Sequence, residues 1–126
     1  MSTTISGTSG VTFPDSTSMQ TGQQACKAWV NFNGTGTVAI RASFNVASIT
    51  DNGQGSYTVN FTTAMPDANY SLVGNAGKVN GNSSDIQVRP TNMTSSSSCT
   101  FTVGTYLTGL SNQTVDQDYI SVAIFR

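Results

Sequence analysis

Three observations predict an all-β fold for this chain, an antiparallel β-sandwich of about eight strands. Apolar side chains recur at every second residue through several short segments, a period that sets one face against a core and the other toward water. Clusters of glycine and asparagine separate those segments and supply residues tolerant of positive φ. The composition also lacks helix material: there is no glutamate, 9% of the residues are charged, and serine and threonine together exceed a quarter of the chain. At 126 residues the chain has room for one small core and a short appendage.

The appendage is residues 1–24, which contain one apolar triplet, Val11-Thr12-Phe13, ahead of Pro14-Asp15. So little apolar material builds no core, and the segment reads either as a polar leader without order of its own or as one that orders only against neighbours. The head domain is residues 25–126. Its first strand sets Cys26, Ala28, Val30 and Phe32 against Lys27, Trp29, Asn31 and Asn33, and Asn33-Gly34-Thr35-Gly36 turns the chain back into Thr37 to Arg41, a hairpin. Asp51-Asn52-Gly53-Gln54-Gly55 makes a second turn before Tyr57, Val59 and Phe61. Met65-Pro66-Asp67 stops a strand, because proline has no N–H for a ladder, and Tyr70 to Val73 restarts one.

Farther on, Asn75 to Asp85 reads as loop, Ile86 to Arg89 as a strand ending at Pro90, Thr91 to Ser98 as loop, and Cys99 to Val103 as an alternating strand. Gly104 to Thr114 is a long connection. The closing segment, Tyr119 to Phe125, is apolar on both faces, which marks a central strand or one buried at a subunit contact. Strands of this length and spacing favour a sandwich, with jelly-roll connectivity one form of it, over a closed barrel.

Composition also bounds the chemistry. A net charge of −1 and a pI near 4.8 exclude nucleic acid as a partner, since phosphate binding needs clustered cations. No run of about 18 apolar residues offers a membrane span, and the first ten residues lack the charged and apolar regions of a secretory peptide. With six aspartates, no histidine and no glutamate, general acid–base groups are scarce; the expectation is a non-enzymatic protein without cofactors. Asp51 and Asp67 sit in turns. Asp116 and Asp118 are either solvated or ligands to calcium, with solvation the stronger reading. Cys26 and Cys99 fall on the core phase of their strands, as buried thiols or as a disulfide; two thiols without histidine do not make a metal site. Trp29, the single tryptophan, lies on the outward phase. It is a candidate sugar-stacking platform, assisted by Tyr57, Tyr70, Tyr106 and Tyr119, or else it packs beneath a loop or at a subunit boundary. So low a charge means hydroxyls and amides keep the surface wet; it is compatible with neighbouring subunits covering part of that surface and equally with a Ser/Thr/Asn-rich monomer. Six N-x-S/T sequons, at Asn33, Asn60, Asn69, Asn82, Asn92 and Asn112, are not glycosylated where no secretory signal leads the chain.

The segments KAWVNFNGTGTVAIRASFNV, ITDNGQGSYTVNFTTAMPDANYSLVG and YISVAIFR resemble the C-terminal modules of tailed-bacteriophage tail-fibre and related virion structural proteins, over residues 22–126. Residues 10–20, GVTFPDSTSMQ, look like the shaft repeats of phage fibres. The resemblance implies a virion protein, assembled in the host cytoplasm, that recognises a host surface as an intertwined homotrimer. Its implied partners are its own copies, other virion proteins and a host surface glycan or protein. The long polar loops Asn75 to Asp85 and Gly104 to Asp118 are the expected recognition surface, with Asn80, Asn82, Tyr106, Asn112 and Gln113 as hydrogen-bonding or stacking groups. Val11, Phe13, Trp29 and Phe125 are the expected trimer contacts. The alternative is a capsid, neck or tail decoration protein with no host contact.

Overall fold

The alternating pattern closes into two facing sheets. The computed structural model describes residues 4–6, 10–12, 14, 16, 18–19, 25–77, 86–105 and 113–126, and no helix occurs among them. In chain order the strands are β1 (Thr4–Ser6), β2 (Gly10–Thr12), β3 (Ser18–Met19), β4 (Cys26–Asn33), β5 (Ala39–Phe44), β6 (Val46–Gly53), β7 (Ser56–Phe61), β8 (Ser71–Gly77), β9 (Ile86–Asn92), β10 (Ser98–Thr105), β11 (Gln113–Thr114) and β12 (Tyr119–Phe125). The leader's β1, β2 and β3 form a small antiparallel sheet of their own. In the head domain one sheet has the order β5-β4-β12-β8. The other runs β6-β7-β10-β9, with the two-residue β11 pairing β10 beyond the end of β7. Every pairing is antiparallel.

Both predicted hairpins are present, β4–β5 and β6–β7, and the closing strand is central in its sheet, between β4 and β8. The jelly-roll expectation does not hold: successive strands of a jelly roll alternate between sheets, whereas the tight glycine turns here keep β4–β5 and β6–β7 each within one sheet. Several boundaries also move: β10 reaches Thr105 and β11 takes Gln113–Thr114 from the expected connection. β8 continues through Asn75 to Gly77, read from sequence as loop, and β9 passes through Pro90. Pro90 is tolerated because β9 is an edge strand bonded only on its β10 side, where a register shift falls between Thr100 and Phe101.

The core lies between the sheets. Ala28, Val30, Phe32, Ile120, Val122 and Ile124 from one sheet meet Tyr57, Val59, Phe61, Cys99, Phe101 and Val103 from the other, all buried. Phe32 meets Tyr57 edge-on, ring centroids 5.2 Å apart, and Phe101 at 6.3 Å, which joins the sheets through three aromatic rings. Cys26 and Cys99 are free thiols; burial pushes the Cys99 thiol up to about 12, so it stays protonated as a small core hydrophobe.

Hydrogen bonds close the ends. The Tyr57 hydroxyl shares its proton between Asp116 Oδ1 at 2.7 Å and the Gly34 carbonyl at 3.0 Å, and Gly55 N–H donates to the same Asp116 oxygen at 2.6 Å. Burial first, and then the Asp116 carboxylate, push the Tyr57 hydroxyl far above its ordinary pKa, so it remains a donor. Gly34 N–H donates to the Gln117 carbonyl at 2.9 Å. Three connections thus meet at one phenol: the β4–β5 turn, the β6–β7 turn and the approach to β12. Asp116 is therefore a structural acceptor, not the solvated aspartate expected from sequence. A Cβ at Gly34 would run into the Tyr57 hydroxyl. Gly55 holds φ +63°, and a Cβ there would meet Val103 O and Val115 N at 2.5 Å.

At the far end Asn45 turns the chain from β5 in one sheet to β6 in the other, with φ +55°, a conformation asparagine adopts more readily than most residues. Its side chain donates to the carbonyls of Lys27 and Thr63, both at 3.0 Å, and accepts from Thr63 N–H at 2.7 Å. Tyr70 donates to the carbonyls of Ser95 and Ser98. Arg126 grips Asp67 through Nε–Oδ1 at 2.9 Å and Nη2–Oδ2 at 2.6 Å, while Asp67 Oδ1 also takes the Asn69 N–H as a turn former.

Replacing Tyr57 with Phe keeps the ring packing but removes the phenol donor from the Gly34 carbonyl and leaves the part-buried Asp116 carboxylate with the Gly55 N–H, so urea unfolding should show a loss of about 2 kcal/mol. The Arg126 guanidinium, and then the Asn69 N–H, hold the Asp67 carboxyl down at about 2 against an ordinary 3.8. A carboxylate depressed in the folded state stabilises above its unfolded pKa, and that contribution is lost as pH falls through the folded value. The melting temperature of Asp67→Asn should therefore lie below that of the parent near neutral pH, and the gap should close by about pH 2.

Candidate functional site

The core phase of β4 and β12 fixes what stands on the opposite phase. Because Trp29 pairs with Phe44 and Ala123, and Ala123 with Val73, one outward row crosses all four strands as Phe44-Trp29-Ala123-Val73. The next row is Ala42-Asn31-Ser121-Asn75. Tyr119 begins the third, opposite Gly77. Large side chains at the ends and small ones in the middle leave an open depression of about 520 Å³ between Trp29, Tyr119 and Val73, floored by Ser121 and Ala123. Trp29 is 40% exposed, Tyr119 42% and Val73 54%.

The polar groups of the floor are held in place. Asn31 Nδ2 donates both hydrogens inward to the protein, to Ser121 Oγ at 2.8 Å and to the Ile120 carbonyl at 3.3 Å. That leaves the Asn31 carbonyl oxygen as an acceptor and the Ser121 hydroxyl as a donor for something else. At one rim a register shift between Asn31 and Phe32 bulges β5 at Arg41. The guanidinium lies 5.6 Å from the Tyr119 ring centroid and donates to the Asp118 carbonyl, which steadies the ring. None of the described side chains lining the depression carries a charge at neutral pH. Its chemistry is that of a neutral surface with two aromatic faces and a strip of amides and a hydroxyl.

Among the residues expected from sequence, Trp29 and Phe125 do stand exposed on this outward face. Val11 is half-buried in β2, paired with Ile5 and Met19 in the leader's own sheet. Gln113 is exposed in β11, opposite Thr105. Asn80, Asn82, Tyr106, Asn112 and Phe13 lie outside the described residues. Tyr57 and Tyr70 are core residues and cannot serve as sugar platforms; their hydroxyls are engaged across the sandwich ends. Asn31 and Ser121 were not singled out from sequence, and Asn75 entered only as the start of an expected loop, because strand register alone brings the three side by side. Their shared outward phase with Trp29 and Ala123 was the available signal.

Asn31→Ala removes two hydrogen bonds at a half-buried position and should lower stability by about 1 kcal/mol in urea unfolding, with the far-ultraviolet dichroism unchanged. No protein-family model, curated protein or solved structure matches this chain.

Proposed function

We propose that the chain is a non-enzymatic virion attachment module, the tip of a tailed-bacteriophage fibre, which assembles as a homotrimer and holds a host-cell surface receptor, glycan or protein. The segment resemblance over residues 22–126 supports the virion assignment. The single observation that favours assembly is the edge strand β5, exposed at every residue from Ala39 to Phe44, with Ile40 and Phe44 among the large apolar side chains open to water. An unpaired apolar edge invites strand pairing or aggregation unless a neighbour covers it. Phe125, exposed on the same sheet, adds to the surface that neighbours would cover, and Val11 and Phe13 in the leader serve the same assembly. Loops carried on a rigid sandwich suit recognition, and several modest contacts on one particle sum to firm attachment.

Light scattering on the full chain should give three copies per particle. Lysine at Ile40 and Phe44 together should reduce that mass without loss of the β-sheet dichroism signal. The oligomer should attach to host cells, and imaging of particles should place it at fibre tips. A single copy at high concentration, or density over capsid, neck or tube with no cell attachment, overturns the proposal in favour of a decoration protein.

A further inference from the structure

From the geometry we infer that the depression on the β4-β12-β8 surface is a binding site for a short neutral oligosaccharide, with Trp29 and Tyr119 as its two stacking platforms. The inference rests on the attachment reading above and moves the sugar contact from the loops to the sheet.

Four features select this occupant. Trp29 sits across from Ala123, four residues along β12 from Tyr119, so the two backbone positions lie about 13 Å apart along the strand direction, a spacing that suits a short chain of linked pyranose rings. Their apolar faces suit the C–H face of a sugar. Between them, Asn31 offers a carbonyl oxygen whose amide is already tied down, Ser121 offers a hydroxyl proton, and Asn75 is exposed with no side-chain hydrogen bond to a described residue. That set alternates donor and acceptor as sugar hydroxyls do. The absence of charge among the described lining residues matches a neutral ligand, the rim cation Arg41 being turned onto the Tyr119 ring and the Asp118 carbonyl, and about 520 Å³ is within the range of small-ligand sites. A second copy of the chain would need a ridge to fill this hollow. The exposed edge strand suited to such a copy is β5, on the far side of β4.

Trp29 is the only tryptophan, so its fluorescence reports this site alone. The full-length oligomer should be applied to an array carrying neutral and acidic glycans, and the strongest neutral binder then titrated against tryptophan emission. Saturable quenching or a blue shift is expected. Trp29→Ala should weaken binding by about tenfold or more, Trp29→Phe should retain part of it, and Asn75→Ala, at an exposed position, should lose a few-fold without shifting the melting temperature. The scattering mass should stay unchanged in all three. Neutral binders that leave the emission unchanged, binding confined to acidic glycans or proteins, or no glycan bound at all would overturn the site. So would a Trp29→Ala variant that loses mass and keeps glycan binding, which would assign the face to a second copy. Host cells separate the two levels: attachment that survives Trp29→Ala defeats this site and leaves the attachment function standing, whereas a parent protein that does not attach defeats both.

Discussion

The Tyr57 hydroxyl, wedged between Gly34 and Asp116, is the constraint on which the rest of this sandwich depends. A small two-sheet domain must stop its sheets from sliding, and apolar faces alone resist sliding poorly because burial has no direction. A phenol anchored in one sheet and bonded to the turn of the other supplies that direction. Two turn positions around it are glycine for steric reasons: Gly34 makes room for the hydroxyl, and Gly55, whose N–H reaches the shared carboxylate, holds a positive φ where a Cβ would strike Val103 and Val115. The ring itself packs edge-on against Phe32, so the polar pin and the apolar core belong to one side chain.

With that end closed, Asn45 sets the other. The chain changes sheet there in a single residue, and the asparagine amide occupies backbone groups of Lys27 and Thr63 that the crossing would otherwise leave open. Between the two ends β12 runs as a central strand, its inward residues deep in the core and its outward ones small at Ser121 and Ala123. The hollow on the outer face is a direct result: large neighbours on β4 and β8 stand around a low centre, and the bulge at Arg41 props Tyr119 at the rim.

Low charge gives this surface its character. With five basic and six acidic residues in 126, the surface offers aromatic faces, amides and hydroxyls far more often than charges. Groups of this kind bind through shape and hydrogen-bond alternation and hold each contact weakly, so firm binding by them needs several sites acting together. The proposed assembly and the proposed neutral ligand make compatible demands on this chain, because the exposed β5 edge and the hollow are separate surfaces of one sheet.

The amino-acid sequence by itself determined the all-β class and the inward faces of the strongest strands: Ala28, Val30 and Phe32, Tyr57, Val59 and Phe61, and Ile120, Val122 and Ile124 were legible from a period of two, because a pleated strand must send alternate side chains to opposite sides. It also marked Trp29 as outward. It misjudged β8 and β9, where Asn75, Gly77 and Pro90 carry turn-like signals that an edge position tolerates. Only tertiary structure decided the strand order, the sharing of Tyr57 by two turns, and the neighbours Asn31, Ser121 and Asn75 of the hollow. Those residues lie far apart along the chain, and a pairing register is a relation between strands that no local pattern encodes.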